Sequence, residues 1–167
     1  FIRAGLWGAT TVSISGHKFG APKGIGALWV KSGHRLKPLV PGHHEEGRRS
    51  GTQNVPYAVG LGVASELAHV GLESYAARVG VMRDSFEAAV KKTISDININ
   101  GHLIQRTANT SHISFAGVKG GNLAIALDLE GIAVSTASAC ASSAANPSHV
   151  LTAIGLPSRW RDGAIRF

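Results

Sequence analysis

The chain has 167 residues, of which 44% are hydrophobic and 16% charged, enough apolar material for one core and too little charge for a disordered chain. No apolar run approaches the roughly 18 residues of a membrane span, no charged-then-apolar leader is read at the start, and one cysteine leaves no disulfide framework or multi-cysteine zinc site. The net charge is +7, with six basic and no acidic residues in positions 1–44. Those charges are dispersed among glycines and apolar residues, which favours an anionic small molecule over nucleic acid as partner. A lone thiol fits a reducing, cytoplasmic compartment.

Taken in chain order, Thr11-Val12-Ser13-Ile14 reads as a short strand. Gly24 to Val30 reads as a second, so apolar that it is expected to be buried on both faces. Between them, Ser15 to Lys23 is a glycine-punctuated loop. A polar loop over 38–55 ends at Pro56, which suits a first helical turn. A helix over 56–70 follows, capped by Gly71. Leu72, Tyr75, Ala76, Val79, Met82, Phe86 and Val90 then recur at helical spacing, predicting a second, long amphipathic helix between two domains. Beyond it the pattern predicts a strand over Thr110–Phe115, a helix over Gly121–Leu129 and a strand over Ile132–Val134. A small-residue loop over Ser135–Asn146 precedes a helix opened by Pro147-Ser148-His149, and Gly163 to Phe167 reads as a strand just begun. Alternating strands and helices give an α/β class. Both chain ends read as cuts through a longer protein.

Three segments carry chemistry. Phosphate-loop and dinucleotide fingerprints are absent. Lys18 follows a hydroxyl, a glycine and an imidazole, a set able to hold a phosphate while a nearby amine forms an imine; a cationic neighbourhood would disfavour the charged amine. The bland alternative is a solvated loop lysine. Cys140 lies among serines, threonines and alanines that cannot anchor a core, so a thiol presented on a surface loop competes with a small buried hydrophobe. Arg48-Arg49-Ser50-Gly51-Thr52-Gln53-Asn54 offers guanidinium groups and hydroxyls to a phosphate or carboxylate, or is a solvated basic loop. His43-His44-Glu45-Glu46 reads as a structural loop, because adjacent ligands rarely converge on one metal ion.

Ser15-Gly16-His17-Lys18 with Gly20 to Gly26 resembles the cofactor-lysine motif of the cysteine desulfurases, pyridoxal-phosphate enzymes of the class V aminotransferase group. Arg49-Ser50-Gly51-Thr52 resembles that family's arginine-serine-glycine-threonine loop. Ser135 to Cys140, followed by Asn146 to Leu151, resembles its catalytic-cysteine loop and helix, and Ala164-Ile165-Arg166-Phe167 the start of its substrate-carboxylate strand. Pro41 to Glu45 is one residue shorter than the corresponding family loop.

The resemblance implies the back portion of a type I pyridoxal-phosphate-dependent transferase fold. Residues 1–72 would end the large cofactor-binding domain, and 73–167 would form most of the small domain. It implies that Lys18 forms the imine with pyridoxal 5'-phosphate, and that Ser15, Gly16 and His17 hold its phosphate. Thr52 would reach the cofactor of the partner in a homodimer. Cys140 would be the persulfide-forming nucleophile and Arg166 the clamp on the substrate carboxylate. The implied reaction converts L-cysteine to L-alanine and passes sulfur to an acceptor such as an iron-sulfur scaffold or a thiolation enzyme. The alternatives are another class V aminotransferase-like enzyme, such as a selenocysteine lyase, or a non-catalytic sulfur-carrier or interaction fragment. The family's stacking histidine and pyridine-pairing aspartate fall outside these residues, so the chain expressed alone is expected to be inactive, with an uncovered apolar face around Ile25 to Val30.

Overall fold

The computed structural model describes residues 2–136 and 148–167. The chain divides into two compact units, Phe1–Leu72 and Glu73–Phe167.

In the first unit, β1 (Thr11–Ser15) and β2 (Gly26–Val30) form an antiparallel pair with Thr11 opposite Val30 and Ser15 opposite Gly26. The chain between them winds into a single 3-10 turn, Gly16–Phe19, closed by Gly20 at φ 96° with its N–H donated to the Gly16 carbonyl. A side chain is disfavoured at that left-handed position, so glycine ends the turn. Most of β2 is exposed, with Leu28 at 55% and Trp29 at 36%, which departs from the burial on both faces read from the apolar run and agrees with the uncovered face expected of these residues alone. The apolar run has no third strand beside it among the described residues. The long helix packs on the turn, where methyl groups added at Gly16 and Gly60 would lie 3.1 Å from Leu61 and 2.9 Å from Pro22.

That helix, α1 (Val55–Thr93), is one continuous element of 39 residues rather than two. Gly71 lies inside it and caps nothing. A helical glycine costs about 1 kcal/mol relative to alanine, and with no proline behind it the hydrogen-bond ladder runs on. Asn54 starts the helix, its Oδ1 accepting the Tyr57 N–H at 3.3 Å, and Lys91 and Lys92 sit in the last turn, where cations suit the helix dipole. By length and composition α1 contains a stretch apolar enough to cross a membrane. This corrects the expectation of no apolar run of that length: the stretch qualifies despite the charged and polar residues within it.

The second unit holds a sheet of order β3-β4-β5, made of Ile97–Ile99, His112–Phe115 and Ala164–Arg166, antiparallel throughout. Helices α2 (Gly120–Leu129), α3 (His149–Ala153) and α4 (Ser158–Arg161) complete it. Ile113, Phe115 and Ile165 form the core, with Phe86 and Val90 of α1, Leu123 and Ala124 of α2, and Ile97, Val134 and Phe167 packed around them. The rings of Phe86 and Phe167 lie 4.9 Å apart at 55°, a tilted aromatic contact. The strand expected over Ile132–Val134 does not form. Gly131 adopts φ 77°, and the N–H groups of Gly131 and Ile132 bond the carbonyls of Asp128 and Leu127 at 2.9 and 2.8 Å. That Schellman cap uses the donor a strand would need. The chain first meets the sheet at Ser135, which bridges to Arg166.

Candidate functional site

In the first unit the candidate residues lie on the turn after β1. Ser15 Oγ lies 3.1 Å from His17 Nδ1, and both side chains, like that of Lys18, are exposed. No carboxylate pairs with Lys18 among the described residues. Gly16 is buried beneath them: an added Cβ would meet the Ile25 carbonyl at 2.8 Å and the Ala21 methyl at 2.9 Å. Its backbone bonds Ile25 O through N–H at 3.0 Å and accepts from Ala21 at 3.1 Å. Gly16 thus sets the turn from below while Ser15, His17 and Lys18 face outward. A hydroxyl, an imidazole and an amine on one tight turn form a donor set that fits a phosphate ester beside an amine-reactive aldehyde.

The polar loop of the same unit closes on itself. His44 bridges to Arg49, Arg48 pairs with Glu46 at 2.9 Å, and Gln53 donates to Glu45 at 3.2 Å. Glu45 and Glu46 both take positive φ, 52° and 57°, a strained pair for residues with side chains. Their carboxylates are engaged by Gln53 and Arg48, and among the described residues no three potential metal ligands converge. Thr52 is exposed and makes no side-chain hydrogen bond among the described residues.

In the second unit the candidate residues form a row across the sheet. Ser111 and Phe167 exchange both backbone hydrogen bonds, at 3.1 and 2.8 Å. The next pair, His112 and Arg166, is therefore of the non-hydrogen-bonded type, in which side chains approach most closely. On its other edge Arg166 exchanges backbone bonds of 2.7 and 3.1 Å with Ser135. Arg166 is exposed and, among the described residues, has no ion-pair partner. Asn98 donates to Asn100 Oδ1 at 2.7 Å, and Asn100 Nδ2 contacts Ser114 Oγ at 2.7 Å and His112 Nδ1 at 3.0 Å. Burial, and then the charge of Arg166, push the His112 pKa down.

A buried ion cluster holds this row. Glu87 of α1, 6% exposed, accepts from Arg106 at 2.8 and 2.6 Å and from Ser111 Oγ at 2.7 Å. Burial pushes the Glu87 carboxyl up, but the hydrogen bonds from Arg106 and Ser111, with the charges of Arg106 and Arg83, outweigh it and leave it below the ordinary range. Arg106 also reaches Asp84 at 3.4 Å.

The sequence profile described as Aminotransferase class-V matches residues 6–167. The chain belongs to this family. It is 46% identical over 157 residues to a cysteine desulfurase of Nostoc sp., covering 93% of this chain and 39% of that protein. A NifS-like protein from Rickettsia africae superposes with a TM-score of 0.84 at 29% identity, over 99% of this chain and 43% of its own. A structure described as SspA in complex with cysteine gives 0.70 at 30% identity, over 99% and 45%. The chain spans about two fifths of the length of the curated relatives it matches. Its fold is the expected back portion of the type I pyridoxal-phosphate transferase fold.

Of the residues singled out from sequence, the structure groups Ser15, Gly16, His17 and Lys18 on one turn and sets Arg166 in the strand row of the other unit. Thr52 stands apart on its loop, and Cys140 lies outside the described residues. Sequence reading missed Asn98, Asn100, His112, Ser114 and the Glu87 cluster. The available signal was the alternation Ile97-Asn98-Ile99-Asn100 and His112-Ile113-Ser114-Phe115, which places the polar residues together on one face.

Proposed function

We propose that the protein to which these residues belong is a cysteine desulfurase, converting L-cysteine to L-alanine and retaining the sulfur on Cys140 as a persulfide. The observation that carries this reading is the turn with Ser15 and His17 in contact and Lys18 exposed beside them. The names of its relatives and the cysteine complex of SspA support the substrate class, and favour it over the selenocysteine-lyase and sulfur-carrier alternatives.

In this reading pyridoxal 5'-phosphate, when bound, supplies an aldehyde for the Lys18 amine and an electron-withdrawing ring. Ser15 and His17 would hold its phosphate, while Gly16, its N–H already bonded to Ile25 O, shapes the turn rather than donating to the phosphate; Lys18, once displaced by substrate, would move protons at the substrate carbon. Arg166 orients the substrate through two parallel hydrogen bonds to its carboxylate. The Cys140 thiolate attacks the substrate sulfur, the carbon–sulfur bond breaks, and protonation of the carbon yields alanine. Residues 1–72 belong to the large domain and 73–167 to the small one. Thr52 serves the cofactor of the other subunit in a homodimer. The sulfur passes to an acceptor protein, an iron-sulfur scaffold or a thiolation enzyme, in the cytoplasm.

Borohydride reduction of the full-length protein loaded with cofactor tests the assignment. The label is expected on the peptide containing Lys18; label on Lys23 instead overturns it.

A further inference from the structure

Arg166 does not stand alone in its row. His112 is its register partner in the closely spaced type of pair, and side chains of such partners share one sheet face. The ring of His112 is set by its other neighbour. Asn100 Oδ1 accepts from Asn98, so the Asn100 amide nitrogen faces Ser114 Oγ and His112 Nδ1. An amide nitrogen only donates, so Nδ1 accepts and the proton of the neutral ring sits on Nε2. Burial and the Arg166 charge both favour that neutral form. Among the described residues Nε2 has no hydrogen-bond partner. The row thus presents a guanidinium and a fixed neutral N–H side by side, with no protein carboxylate paired to the guanidinium among the described residues. Two donors and one positive charge match a single carboxylate.

We propose that His112 is a second hydrogen-bond donor to the substrate carboxylate held by Arg166, with Asn100 keeping the proton on Nε2. This rests on the reading of Arg166 as the carboxylate clamp. A second donor group beside the guanidinium adds a third hydrogen bond to the carboxylate and strengthens the orientation that the paired guanidinium bonds give the substrate's α-carbon. It also favours α-amino acids over amines of the same skeleton.

The test uses the full-length protein with its cofactor and two probes, L-alanine and ethylamine, which differ by the carboxylate. His112→Phe removes the donor at similar volume, and His112→Gln places an amide N–H near the Nε2 position. L-Alanine affinity is expected to fall about tenfold in His112→Phe, the scale of one hydrogen bond to a charged group. Recovery in His112→Gln to within about threefold of the parent is expected, with ethylamine affinity unchanged and KM for L-cysteine rising while kcat holds. Equal losses for L-alanine and ethylamine would show a structural effect and overturn the proposal. Unchanged L-alanine affinity in His112→Phe, where Arg166→Ala weakens it, overturns the role of His112 and leaves the clamp standing. If Arg166→Ala also changes nothing, the clamp reading fails and takes this inference with it.

Discussion

Glu87→Ala removes the carboxylate at the centre of the ion cluster beneath the Arg166 row. In the parent, Glu87 takes three short bonds, two from Arg106 and one from Ser111. The Arg106 side chain is 15% exposed, and its Nε already lacks a partner. Deleting one partner of a buried pair costs about 3–5 kcal/mol, because the remaining charge stays desolvated. Asp84 at 3.4 Å recovers part of this, which sets the expectation near the lower end, about 3 kcal/mol. Glu87→Gln keeps the shape and one acceptor, and is expected to cost about 1–2 kcal/mol. Because Ser111 pairs with Phe167 through the backbone, the loss should appear locally. Amide hydrogen exchange at Ser111 and Phe167 in the full-length protein should quicken by about two orders of magnitude in the alanine variant, and by about one in the glutamine variant. Exchange within threefold of the parent in both variants would refute the claim that this cluster holds the row.

Gly16→Ala forces a methyl group against Ile25 O and Ala21; overpacking should cost about 1–3 kcal/mol and weaken cofactor retention, and unchanged thermal stability would contradict it. Arg166→Lys should weaken substrate binding by about 1–3 kcal/mol without loss of fold, read as KM and circular dichroism; a misfolded variant that binds cysteine normally would mark a scaffold arginine instead. His112 has its folded pKa lowered from the ordinary 6.5, so below that pH the unfolded chain binds more protons than the folded one. Its contribution to stability is complete above about pH 6.5 and is lost as pH falls through the folded value, so melting temperature should drop less between pH 7.5 and 5.5 in His112→Gln than in the parent. Parallel curves would refute the shift.

Elements with strong local signals were legible in the sequence. The alternation in Thr11–Ser15, the apolar run through α2 and the glycine-punctuated turn around Lys18 each carry their own instruction. Failures came where the deciding partner is remote or the competing signal is local. Gly71 has the residue type of a cap, yet the helix continues. Ile132 has strand character, yet its N–H closes the end of α2. Burial of β2 needs covering layers, and no periodicity reveals whether they are there. In the site, the Ser15-His17-Lys18 turn could be read because its parts are contiguous. His112 could not, because its meaning comes from Asn100, just past the end of β3, and from Arg166 on β5, a relation that exists only once the register is fixed.

The central claim is that Lys18 and Cys140 act in one desulfuration. Its most direct measurement is peptide mass spectrometry of the full-length holoprotein after brief exposure to sulfur-labelled L-cysteine, with alanine quantified in the same sample. One labelled sulfur on the peptide containing Cys140, one alanine released per sulfur retained, and neither in Lys18→Ala is the expected result. Labelled sulfur absent from that peptide, or alanine formed at the parent rate by Cys140→Ser, would contradict it.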